Sequence, residues 1–78
     1  MNSYSSNIKD RVSFVCKKLI EEGFEVDSKI PGERKLAEST GVSKSKLREV
    51  FAVLDYIGVT ESNHGKSRVL KGDITKLV

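Results

Sequence analysis

The chain is short of the residues on which most enzymatic chemistry depends. Its 78 residues include one cysteine, one proline, one histidine, one methionine and no tryptophan. A lone Cys16 excludes an internal disulfide and cannot close a cysteine-based zinc site. It falls in an apolar-periodic stretch and reads as a small core residue, which suits a reducing, cytoplasmic setting. With His64 the only histidine, no His/Asp/Glu cluster has metal-ligand spacing and no nucleophile has an evident base. No glycine-rich phosphate loop follows a strand. Neither a secretory signal nor a lipidation signal is present, and no apolar run approaches the roughly 18 residues of a membrane span. The expectation is a binding module: no enzyme, no cofactor, no metal and no membrane.

Size points the same way. A chain of 78 residues is one domain, and at that length roughly 60% of the unfolded surface is buried on folding. An enclosed substrate pocket would compete with the core for the same few apolar side chains. The formal net charge is only +3, but its distribution is uneven. Residues 1–28 carry four basic and five acidic groups, whereas residues 29–78 carry ten basic and six acidic. The excess gathers at Lys44, Lys46 and Arg48 and again at Lys66, Arg68 and Lys71. Two separated basic clusters suit a polyanion touched at two places, although a solvated face explains the charge alone equally well.

Periodicity predicts three helices and a hairpin. Ser5, Ser6 and Asn7 are candidate N-caps, after which Ile8, Val12, Val15 and Leu19 recur at helical spacing, widened by Cys16 and Ile20. Gly23 supplies a stop. Phe24 to Ile30 alternates loosely and allows one short edge strand. Pro31-Gly32 opens a second helix, with Glu33 suited to the positive end of its dipole. Leu36 and Ala37 face inward, and Gly41 ends the helix after about two turns. Ser43 caps the third helix, in which Leu47, Val50, Phe51, Leu54 and Ile57 cover an arc of about 120° at roughly 100° per residue. Gly58 terminates it. Val59–Glu61 and Arg68–Leu70 flank turn chemistry at Asn63-His64-Gly65-Lys66. The remainder, from Lys71 to Val78, has too little apolar content to fold alone.

The expected fold is therefore mainly α with a small β-hairpin, a winged helix-turn-helix of three helices plus wing. Its sharpest signal is the spacing Ala37, Gly41, Leu47. A small side chain lets the helices cross closely, a glycine permits a turn of very few residues, and Leu47 with Val50 pins the following helix to the core. Lys44, Ser45 and Arg48 lie off the apolar arc in the first two turns of that helix, with Lys46 flanking on the other side. Recognition helices present such N-terminal residues to base edges in the major groove. Arginine suits bidentate pairing with guanine, and serine or lysine serves bases or phosphates. Basic residues there oppose the helix dipole, a cost that a polyanion relieves. At the hairpin tip His64, Gly65 and Lys66 offer a second contact surface, Gly65 permitting close backbone approach.

The stretches Ile30-Pro31-Gly32-Glu33-Arg34-Lys35-Leu36-Ala37 and Gly41-Val42-Ser43-Lys44-Ser45-Lys46-Leu47-Arg48-Glu49-Val50 resemble the gluconate-repressor (GntR) family of bacterial regulators. The resemblance runs from about Val12 to Leu70, and the wing is similar to that of the family's fatty-acid-responsive (FadR-like) branch. It implies that Arg34 contacts DNA, that Ser43, Lys44, Ser45, Lys46 and Arg48 fall on recognition-helix contacts, and that His64 and Gly65 enter the minor groove. The chain departs from the pattern at Gly32, where serine commonly caps the helix, and at Lys46, where threonine or proline is usual. It departs again at Ser67, in place of the second wing glycine, and at Val69, in place of an aromatic. These departures bear on which operator is bound, not on binding itself.

Residues 1–71 are thus expected to form the DNA-binding domain. Residues 72–78 are expected to begin a linker to a dimerising, metabolite-binding C-terminal domain that is absent from the sequence, the alternative being a stand-alone head. The expected partner is double-stranded operator DNA, met by a homodimer of the full-length regulator. The competing reading is a winged-helix protein-interaction module without DNA binding, and Lys44, Lys46 and Arg48 argue against it.

Overall fold

The computed structural model describes residues 7–62 and 67–78. Three helices come first: α1 (Ile8–Glu21), α2 (Glu33–Thr40) and α3 (Lys44–Tyr56). Three short strands, β1 (Lys29–Ile30), β2 (Thr60–Ser62) and β3 (Arg68–Leu70), pair antiparallel in the order β1-β3-β2. A 3₁₀ turn at Ile74–Leu77 ends the chain.

α1 begins where Asn7 leaves helical geometry and its side chain accepts from the Lys9 N–H at 2.9 Å, satisfying one of the donors a helix start leaves free. Val12, Val15, Cys16 and Leu19 form its buried stripe. On α3 the matching stripe is Leu47, Val50, Phe51 and Leu54, spaced by three, one and three residues and essentially inaccessible. Leu36 from α2, Ile30 from β1 and Leu70 from β3 complete the same core. Each large aliphatic side chain so buried contributes roughly 1.5–3 kcal/mol, and between them they orient α2 and α3.

α3 closes with two backbone bonds, Gly58 N to Asp55 O at 3.1 Å and Val59 N to Leu54 O at 2.9 Å. The reversal needs a left-handed residue, and Gly58 provides it at φ 82°. α1 ends on the same pair of bonds, from Gly23 and Phe24.

Three local expectations are revised. Ile57 is half-exposed rather than inward, because α3 ends at Tyr56 and the helical phase does not extend to it. The strand expected within Phe24–Ile30 is confined to Lys29–Ile30. Val26 lies exposed in the turn before it, where Asp27 takes φ 74°. The residues after Lys71 do not run free: Ile74 is buried in the core and Leu77 packs beside it against α1. Among the described residues no helix is long and apolar enough to cross a membrane.

Candidate nucleic-acid interface

The sharp corner between α2 and α3 is set by three consecutive residues. Gly41 adopts φ 78°, ψ 7° and donates to Ala37 O at 2.9 Å, a conformation that costs a residue with a Cβ roughly 1–2 kcal/mol. Thr40 is buried, donates its hydroxyl to Leu36 O at 2.6 Å, and accepts from Val42 N at 3.1 Å. A polar side chain inside the corner thus satisfies backbone groups that the change of direction would strand. Ser43 then caps α3, its Oγ accepting from Lys46 N at 3.4 Å.

This corner fixes what α3 displays. Lys44, Ser45, Lys46 and Arg48 are all exposed, and the first turn contains no acidic residue. Two lysines therefore stand where the helix dipole favours negative charge. Lys44 and Arg34 line one open groove of about 850 Å³, whose other walls include the start of α2, the strand residues Ser62 and Arg68, and Ser67 just before β3. Ser43 and Lys46 face the opposite side and line a second groove of about 650 Å³ against Asp10, Arg11 and Phe14 of α1. Ser45 lies between, its Oγ 3.4 Å from that of Ser43. The candidate residues at the start of α3 are thus split between two sides of one helix end. His64, Gly65 and Lys66 lie outside the described residues, and so does the wing-tip likeness to the fatty-acid-responsive branch.

Three charged pairs, none of them foreseen from the sequence, brace this surface. Arg11 of α1 donates to Glu49 of α3 at 3.0 Å. Arg48 donates its Nε to Glu33 Oε1 at 3.0 Å, bridging α3 to the start of α2. Arg68, at the base of the wing, grips Asp55 of α3 with Nε at 3.1 Å from Oδ1 and Nη2 at 3.0 Å from Oδ2. The Thr60 hydroxyl donates to the same Oδ1 at 2.5 Å, and the Arg68 guanidinium lies 4.8 Å from the centre of the buried Phe51 ring. Partial burial alone would push the Asp55 carboxyl up. The bonds from Arg68 and Thr60, with the charge of Arg68, outweigh burial and hold it below the ordinary carboxylate value. The pairs join residues 38, 15 and 13 positions apart, so no local pattern signals them.

A two-helix corner with an exposed basic helix start, backed by a small antiparallel sheet clamped to that helix, defines a winged helix-turn-helix domain. The chain belongs to the gntR family of bacterial regulatory proteins, whose sequence pattern matches residues 7–69. One relative, the uncharacterized HTH-type transcriptional regulator Rv0494 of Mycobacterium tuberculosis, is 34% identical over 65 residues, covering 82% of this chain. The chain spans only 27% of that relative's length. Among solved structures, a GntR family transcriptional regulator from Listeria monocytogenes superposes with a TM-score of 0.72 over 99% of this chain and 68% of its own, at 17% identity. S. agalactiae BusR, in complex with its busAB-promotor DNA, gives 0.69 over 87% of this chain and 33% of its own, at 18% identity. These two likenesses speak to the fold. The DNA-binding domain of AraR, in complex with operator ORE1, is 25% identical and gives 0.65 over 90% of this chain and 88% of its own.

Proposed function

We propose that this chain is the sequence-specific DNA-binding head of a bacterial transcription regulator, with α3 in the major groove and the wing in the minor groove of double-stranded operator DNA. The observation that carries this reading is the start of α3. Lys44, Ser45, Lys46 and Arg48 project from its first two turns with no acidic residue in the first, and Arg34 of α2 stands across the groove from the wing base. Lysines and arginines there answer phosphates and guanine edges, and a polyanion offsets their conflict with the helix dipole. The operator-bound AraR domain is a similar fold at 25% identity, which supports the same use of the surface. Arg34, Ser43, Lys44, Ser45, Lys46 and Arg48 are the proposed contacts on α2 and α3, with His64, Gly65 and Lys66 at the wing.

The domain acts by binding, not catalysis, in keeping with a family of regulators. Cys16 is buried, burial pushes its thiol up to about 11, and an inert thiol of this kind suits the cytoplasm. Tight binding is assigned to a homodimer of a longer regulator in which an effector-responsive domain joins two such heads, because two linked half-site contacts act at high effective concentration. The apolar residues exposed on and just after α3, Val53, Tyr56 and Ile57, are too few for a stable dimer face.

The test is sedimentation of the isolated chain together with a salt titration of its binding to duplex DNA. A monomer is expected, with weak binding whose log–log salt slope is about −0.9 per phosphate neutralised. A tight dimer in isolation, or binding indifferent to salt, would overturn the reading.

A further inference from the structure

Arg48 differs from its basic neighbours in being held. Its Nε is bonded to Glu33, whereas among the described residues Arg34, Lys44 and Lys46 form no ion pair. The Arg48 side chain is still 66% exposed, against 31% for Glu33. The carboxylate therefore sits back against the domain and the guanidinium projects from it. As a source of stability such a pair is weak, but its effect on geometry is considerable. A guanidinium is a rigid planar fork. Engaging Nε at one edge leaves the two terminal nitrogens as the free donors, a pair able to meet O6 and N7 of a guanine end-on. The side chain is thereby ordered before DNA arrives rather than on binding. Glu33 also repels phosphate, and an Arg48 that swung to the backbone would leave this carboxylate unpaired at an anionic surface. In the first turn of α2 the helix dipole favours the charge of Glu33 where it stands.

We propose that Glu33 is a specificity-determining positioning residue, which aims Arg48 at one guanine and withholds it from phosphates. The proposal rests on the DNA-binding reading of this surface.

The experiment takes the whole chain and a pool of randomised duplexes. Selection with the wild type identifies a preferred site, and each base pair of that site is then varied singly. Affinities are measured for the wild type, Glu33→Ala, Arg48→Ala and the double variant. Both single variants are expected to flatten the preference at the same G·C pair, from about tenfold to below about threefold. The double variant should be no flatter than Arg48→Ala, because the two residues act through one contact. Glu33→Ala should also bind unrelated duplexes at least as tightly as the wild type, having lost a negative charge, whereas a residue that merely supported the fold would lose affinity on every sequence. Unchanged preferences in Glu33→Ala, flattening at a different base pair, or an equal loss on all duplexes would each overturn the proposal and leave DNA binding standing. A wild-type chain that enriches no duplex would instead overturn the DNA-binding reading. Should Glu33→Ala not fold, Glu33→Gln keeps the side chain's size and is judged by the same outcomes.

Discussion

Arg68 and Asp55 meet as a two-pronged pair, both prongs at 3.0–3.1 Å, although one stands at the base of the wing and the other near the end of α3. The contact sets the angle between the two parts of the domain that face DNA in the proposed complex. It lies over Phe51, so the guanidinium has an aromatic face beneath it, and Thr60 adds a third donor to the same carboxylate. Arginine's planar fork makes this arrangement directional in a way a lysine could not reproduce.

Removing Asp55 should therefore be felt beyond one ion pair. Asp55→Ala leaves Arg68 and the buried Thr60 hydroxyl without their acceptor, and a loss of about 1–3 kcal/mol is expected, measured by urea unfolding at neutral pH. The same group predicts an acid limb. Its carboxyl is held below the ordinary 3.8 in the folded chain, so its stabilisation is complete above about pH 4 and fades as pH falls through the depressed folded value. Asp55→Asn should remove that part of the pH dependence; an acid limb unaltered in this variant would show that Asp55 does not supply it.

Leu47 and Leu54 are fully buried at the centre of α3. Leu47→Ala or Leu54→Ala should each destabilise by about 2–5 kcal/mol, enough to leave so small a domain largely unfolded. Thermal melts followed by circular dichroism check this, and a variant that kept its Tm would contradict the assigned inward face.

The corner between α2 and α3 makes a backbone prediction. A Cβ on Gly41 would meet nothing within 4 Å, yet φ is +78°, so the penalty is conformational and not steric crowding. Gly41→Ala should cost about 1–2 kcal/mol and Gly41→Asn less, since asparagine tolerates this region better. Equal Tm values for the two variants would count against the left-handed turn.

Ile74 tests the end of the chain. It is buried with Leu77 packed near it, so Ile74→Ala should lower stability by about 2–5 kcal/mol even though it lies past the last strand. A neutral effect would return residues 72–78 to the status of a pure linker.

What the sequence reveals follows the range of each interaction. The helices are legible because apolar residues repeat within a few positions, and their ends because Asn7, Ser43, Gly41 and Gly58 act on their own local backbone. Thr40 is a partial case: its bonds to Leu36 and Val42 are local, but a threonine before a glycine gives no sign of being buried. Ile74 stands in a segment too short to show a period. The pairs Arg11–Glu49, Arg48–Glu33 and Arg68–Asp55 depend on where the helices come to rest. For that reason Glu33 reads from the sequence as a dipole partner only, and Arg68 as one more basic residue.

The docking of the 3₁₀ turn on α1 also sets a schedule for synthesis. Within this domain the apolar stripe of α1 leaves the ribosome well before Ile74, one of the residues that covers the core. A nascent chain stopped short of residue 74 carries an incompletely closed interior, and its long-range contacts cannot all form in order of emergence. Final closure of the domain is thus a post-emergence event, and until then the growing chain is exposed to proteases and chaperones.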